Sequence, residues 1–163
     1  MAKIGKATEA LKVLAQASAI GSKVAIKAGG GVSFQQPLPE VELISQANKL
    51  VKELQKWLSD HPNMQFDHAP KQLKAGQQVK FKAWPEVYTV KAANDRFAVC
   101  VWGGLYTVID TKKGIKSISA CWSHGAKTME QIQIMLDDLT SGEAWLSERN
   151  RADLDIEWSV DLG

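Results

Sequence analysis

Cysteine, histidine and long apolar runs are scarce in this chain. Its 163 residues include two Cys and three His. Neither Cys100 nor Cys121 belongs to a Cys-x-x-Cys, and no His/Cys spacing matches a zinc site. No stretch of about 18 apolar residues occurs, so no membrane span is expected. The N-terminus lacks the apolar segment and cleavage site of a secretory signal, and the expected compartment is a cytoplasm. Gly29-Gly30-Gly31 lacks the Gly-Lys-Ser/Thr ending of a phosphate loop and reads as part of a linker. There is no internal repeat and no long low-complexity tract.

What the chain does have is an ordinary globular balance, 45% hydrophobic and 23% charged, with six Trp. A core of useful size fits within this length. Large aromatics serve cores and interfaces alike, so the Trp count alone decides nothing. The net charge of +2 hides a segregation along the chain. Residues 1–28 carry five Lys against Glu9. Residues 71–127 carry ten Lys and Arg against Glu86, Asp95 and Asp110. Residues 137–163 carry eight carboxylates against Arg149 and Arg151. An acidic tail after a basic block either folds back on it or serves a separate partner.

Residues 77–122 read as five short strands, Gln77–Trp84, Glu86–Ala92, Arg96–Trp102, Leu105–Thr111 and Ile115–Trp122. Asn94-Asp95, Gly103-Gly104 and Lys112-Lys113-Gly114 are turn signals between them. This succession predicts a small closed or nearly closed β-barrel. Period-2 alternation puts Lys80, Lys82 and Trp84 on one face of the first strand, opposite Val79, Phe81 and Ala83. The third and fourth strands are apolar on both faces and need a cover. Upstream, Ile4, Leu11 and Leu14 lie at helical spacing and predict a helix over about residues 6–20. Residues 29–42, with three Gly, Pro37 and Pro39, read as a Gly/Pro linker. Leu43, Ala47, Leu50, Leu54, Trp57 and Leu58 form the stripe of a second helix, ended at Asp60-His61-Pro62-Asn63. That amphipathic helix is the cover the pattern offers to the barrel. Thr128-Met129-Glu130-Gln131 is a capping-box pattern opening a third helix with Met129, Ile132, Leu136 and Leu139 inward and Gly142 at its end. Leu154–Val160 alternates apolar and acidic residues as a strand does. The expected organisation is a helical segment 1–28, a linker 29–42, and a unit 43–163 containing the barrel.

Residues able to carry chemistry are few, and each has a bland alternative. His61 and His68, near Asp60 and Asp67, have no recognised metal spacing and read as solvated loop residues. Cys121, Ser123 and His124 lie too close in sequence for a Cys–His nucleophile pair, which needs an orienting group and an oxyanion pocket. Cys100 and Cys121 either pair across strands or stay as buried thiols. Asp153, Asp155 and Glu157 project to one side of a strand, as divalent-cation ligands or as a charged edge that discourages aggregation. No metal and no cofactor is implied.

Two stretches carry a resemblance. One is Arg-Phe-Ala-Val-Cys-Val-Trp at residues 96–102, followed by Leu-Tyr-Thr-Val-Ile-Asp-Thr-Lys-Lys-Gly-Ile at 105–115. The other is Leu-Asp-Asp-Leu-Thr-Ser-Gly-Glu at 136–143, running on to Ser-Glu-Arg-Asn-Arg-Ala-Asp-Leu-Asp-Ile at 147–156. Together they resemble small uncharacterised proteins of bacteriophages and prophages. Leu73-x-x-Gly-x-x-Val79 followed by Tyr88-Thr-Val90 is similar to the opening strands of an SH3-like barrel. The resemblance spans residues 73–157 and omits the N-terminal helix and linker. It implies a phage-type binding module without catalytic residues to carry over.

The expected fold is therefore α+β, with an SH3-like five-stranded antiparallel β-barrel flanked by amphipathic helices and a separate N-terminal helix. The expected function is a non-enzymatic protein-interaction module, a phage-encoded accessory factor binding a host or virion protein. Ile4, Leu11 and Leu14 would dock that helix in a partner's groove or on a second copy. The alternative is binding of single-stranded nucleic acid, in which lysines follow phosphates and aromatics stack on bases. For either partner the candidate residues are Lys80, Lys82, Trp84, Trp102, Lys116 and Trp122.

Overall fold

The computed structural model describes residues 5–68, 70, 72–117, 122, 125–147 and 154–163. Ile4, Cys121, Ser123, His124 and Asp153 lie outside the described residues. The fold is α+β, with four helices and nine strands among the described residues. The chain divides into two compact units, Met1–Phe66 with Leu162–Gly163, and Asp67–Asp161. The division falls after the second helix, whereas the sequence pattern sets boundaries near residues 28 and 42.

In the first unit α1 (Lys6–Ala19) buries Ala10, Leu11, Val13, Leu14, Ala15 and Ala17, so small residues let a neighbour approach closely. That neighbour is the helical segment Val51–Asp60, and the Trp57 indole N–H donates to the Ala7 carbonyl at 3.0 Å. The expected linker contains structure. β1 (Val24–Ile26) and β2 (Val32–Phe34) pair as an antiparallel hairpin across the triple glycine. Val24, Ile26, Val32 and Phe34 pack on the helical core, which three-residue strands need to persist. The second helix is broken into α2 (Val41–Lys49) and α3 (Val51–Asp60) at Leu50. Near the break, the Asn48 side chain donates to the Ile44 carbonyl at 2.9 Å, competing with the backbone ladder. The same side chain accepts from the Val32 N–H at 3.3 Å, tying hairpin to helix. The apolar stripe runs through the break, with Ala47, Leu50 and Leu54 all buried.

In the second unit β4 (Gln78–Phe81), β5 (Val87–Ala93), β6 (Phe97–Trp102), β7 (Leu105–Asp110) and β8 (Ile115–Ser117) follow the five expected strands in an antiparallel meander. Gly103 and Gly104, both at positive φ, make the two-residue turn that joins Trp102 to Leu105. The expected barrel is not formed: among the described residues the sheet is open. Within this unit its order is β9-β4-β5-β6-β7-β8, where β9 is Ile156–Asp161, while β3 is the short strand Gln65–Asp67 at which the chain divides. The physical reason lies at β4. Its outer edge hydrogen-bonds to β9, with Val79 opposite Ser159 and Lys80 opposite Trp158, so β8 has no place beside it.

The sheet carries a core on each face. Ala98 and Cys100 of β6 join Val79, Phe81, Tyr88, Val90 and Ile109 on one face. Phe97 and Val99 join Ala92, Val108 and the helix α4 (Met129–Ser141) on the other. A register shift between Val90 and Ala92 lets β5 supply both cores. α4, through Ile132, Leu136 and Leu139, is the element that covers β5 and β6 on the second face. Its capping box forms as expected: Gln131 N–H donates to Thr128 Oγ1 at 3.1 Å, and Thr128 N–H donates to Gln131 Oε1 at 2.9 Å. Gly142, in the left-handed region, ends the helix. Thr128→Ala is expected to lower stability by about 1 kcal/mol and Thr128→Ser by much less. Leu136→Ala is expected to cost about 2–4 kcal/mol, because it opens a cavity under the helix. Chemical denaturation of the three variants checks both.

Candidate functional site

The six candidate residues do not share a surface. Lys80 stays on the regular alternation of β4 and is buried. Its ammonium donates to the Phe81 carbonyl at 2.7 Å and to Glu157 Oε2 at 2.9 Å. A buried ammonium needs such partners, and β9 brings the carboxylate. β4 ends at Phe81, and a turn closed by the Trp84 N–H on the Phe81 carbonyl follows at 3.2 Å. That turn breaks the alternation, so Trp84 packs with the core containing Phe81 and Val79. Lys116 stands opposite Ile109 on β7, on that same core face. The structure therefore brings Trp84 and Lys116 together and leaves Lys80 on the other face of the sheet.

Lys82 is exposed, beside a cleft of about 440 Å³ that holds charges of both signs, with Lys112 against Asp95 and Asp155. Trp102 is partly buried against the first core. Trp122 packs against the second, edge-on to Tyr106 with ring centroids 5.9 Å apart, and Lys127 Nζ lies 5.3 Å from its ring centre. Leu11 and Leu14, offered as a docking face, are buried in the core of the first unit. The amphipathic stripe of α1 is already used inside this unit. Cys100 is a buried free thiol, and burial pushes its pKa up to about 12. No group of three or more metal-capable side chains occurs among the described residues, and the ring of His61 lies 5.2 Å from that of Trp57.

Aromatic and charged side chains surround Lys116, which is 6% exposed. Its ammonium sits 3.1 Å from the centre of the Trp84 ring and 5.9 Å from that of Tyr88. Burial pushes the Lys116 pKa down to about 8, while the Glu86 carboxylate pulls it upward. Burial, reinforced by Glu86, pushes the Tyr88 phenol up to about 12. Trp84 Nε1 and Glu86 Oε2 are both buried without a hydrogen-bond partner. Glu86 and Tyr88 escape a reading based on basic residues and Trp; their signal is Pro85, which marks a turn between Trp84 and the next strand.

A second polar node is structural. The Arg96 guanidinium grips the Asp110 carboxylate with contacts of 3.1, 3.1 and 2.7 Å. Burial pushes the Asp110 pKa up, but Arg96 and the N–H groups of Lys113 and Lys112 outweigh it and hold the carboxyl below its usual range. These bonds fix the Lys112–Gly114 turn that leads into β8.

Trp145 is a further residue the sequence pattern passes over. It is 81% exposed, while its neighbours Ala144 and Leu146 pack against the core under α4. The N–H groups of Gly142 and Ala144 both donate to the Asp138 carbonyl at 3.0 Å, which fixes the backbone just before it.

Comparison with family models, with curated proteins and with solved structures gave no match. No described helix is long and apolar enough to cross a membrane.

Both pKa values are lower in the fold than in the unfolded chain, so both titrations make stability rise with pH, each in its own window. The unfolded chain holds the Lys116 proton to near 10.5 and the folded chain releases it near 8, so this group adds stability as pH rises between them. Lys116→Met is expected to be more stable than wild type at pH 7 by about 1 kcal/mol, with the gap shrinking by pH 10. Urea titrations at both pH values test this, and parallel pH profiles contradict it. Asp110, held low in the fold, contributes stability that is present above its ordinary value of 3.8 and is lost on acidification. Asp110→Asn is expected to cost about 1–2 kcal/mol at pH 7 and to flatten the acid limb of the stability profile.

Proposed function

We propose that the chain is a non-enzymatic protein-interaction module, in keeping with the phage-type accessory factor its resemblance implies. The observation that supports this reading is Trp145. Leaving an indole in water forgoes about 2–3 kcal/mol of burial. The ring is held out on a backbone anchored by the Asp138 carbonyl and by two inward-packed neighbours. An exposed aromatic on a fixed support loses little conformational freedom on binding, which is the property of an interface anchor. Its partner on this reading is a protein with an apolar pocket that accepts an indole.

The nucleic-acid alternative draws less support. Of Lys80, Lys82 and Lys116, Lys82 alone is exposed, and the Trp84 and Trp122 rings are packed against cores. Free phosphate-tracking cations and open stacking faces are what that reading requires.

The test is affinity capture with the full chain, using wild type and Trp145→Ala in parallel, each with and without nuclease. Trp145→Ala is expected to change folding stability by less than about 0.5 kcal/mol. It is also expected to weaken recovery of the wild-type partner by about tenfold or more. Unchanged recovery by the variant, or loss of all wild-type recovery under nuclease, overturns the reading.

A further inference from the structure

Four polar side chains, Lys116, Trp84, Glu86 and Tyr88, lie where β8 meets the start of β5. The Lys116 ammonium lies on the Trp84 ring at 3.1 Å, with Tyr88 at 5.9 Å from ring centre. Trp84 Nε1 and Glu86 Oε2 are buried and unpartnered. The Glu86 carboxylate acts electrostatically on both Lys116 and Tyr88. The space between Trp84, Tyr88 and Lys116, lined also by Phe81, Thr107 and Leu154, is too small to admit water. Aromatic faces together with a carboxylate that acts on the same charge are the chemistry that holds an organic cation. Trp84 and Glu86 are half-buried, so the arrangement borders solvent.

We propose that Trp84, Tyr88 and Glu86 form a cage for weakly hydrated organic cations of the methylated or quaternary ammonium class, kept closed by the chain's own Lys116. The resident ligand is a poor fit for the cage in one respect. A primary ammonium is strongly hydrated, and here the neighbours at 3.1 and 5.9 Å are ring faces rather than hydrogen-bond acceptors. A methylated ammonium has fewer hydrogen bonds to lose and keeps the full attraction of the rings and of Glu86. Lys116 sits on β8, a three-residue strand, so the blocking side chain is held by a short element. This inference is independent of Trp145 and of the protein-binding reading.

Tetramethylammonium is the probe, because its five heavy atoms approximate the part of Lys116 removed by truncation to alanine. Lys116→Ala, titrated with tetramethylammonium chloride and followed by NMR at the Trp84 indole N–H, is expected to bind at least about tenfold more tightly than wild type. Trp84→Leu in the same background is expected to abolish that binding. tert-Butanol, a neutral molecule of nearly the same shape, is expected to give no comparable gain. Equal affinity of wild type and Lys116→Ala for the cation, or an equal response to tert-butanol, overturns the proposal. If Lys116→Ala does not fold, the intact protein decides. The Lys116 ε-methylene protons must then lie upfield of those of every other lysine through the Trp84 ring current and return on Trp84→Leu. Ordinary shifts for those protons overturn it.

Discussion

Antiparallel pairing between β4 and β9 sets the terms on which the second unit is built. A strand of four residues at a sheet edge would expose a row of N–H and C=O groups, and β9 satisfies them. The same pairing places Trp158 opposite Lys80, on a face where both are buried, and so removes the lysine from water. An ammonium in that position is tolerated because Glu157 and the Phe81 carbonyl receive its protons. The acidic alternation near the C-terminus is thus matched to one basic residue in β4. Occupation of that edge also keeps the meander open, since the first and last strands of a five-stranded barrel would otherwise need to meet there.

What could be read from the residues follows the range of the interactions involved. The strands from Val87 to Ser117 were legible because alternation, Asn94-Asp95 and Gly103-Gly104 all act within a few residues. So was α4, whose cap and stop are local hydrogen bonds. The hairpin at Val24–Phe34 was not, because three-residue strands around a triple glycine carry little pattern and depend on the helical core beneath them. The partition of the second helix was hidden in a single asparagine, which has no reason to face a carbonyl until the hairpin N–H is placed beside it. The need of β6 and β7 for a cover was legible, but α4 as the cover of one face was not, since a stripe declares that it must be buried without declaring against what.

The candidate surface shows the same division. Alternation correctly placed Lys80 opposite Val79, but its extension to Trp84 assumed that β4 continued beyond Phe81. The turn that ends the strand carries Trp84 across to the other side, where Lys116 stands in register with Ile109. Basic and aromatic residues that seemed to form one face are therefore split between an ion pair and a ring contact. Trp145 was passed over for the opposite reason: it lies outside any periodic segment. Only the inward packing of Ala144 and Leu146 shows that the ring is presented by a supported loop.

The position of β9 in the sheet also orders events in time. Val79 and Ser159 are paired although about 80 residues separate them along the chain. On a ribosome the meander from β4 to β8 emerges first, and it waits with one flank unzipped while α4 is made. Synthesis of the intervening residues, at about 5–20 per second, takes far longer than hairpin formation. During the delay Lys80 remains hydrated, and the vacant flank of β4 is open to any other extended segment nearby. The edge of β4 is therefore completed only after residues 156–161 have been made.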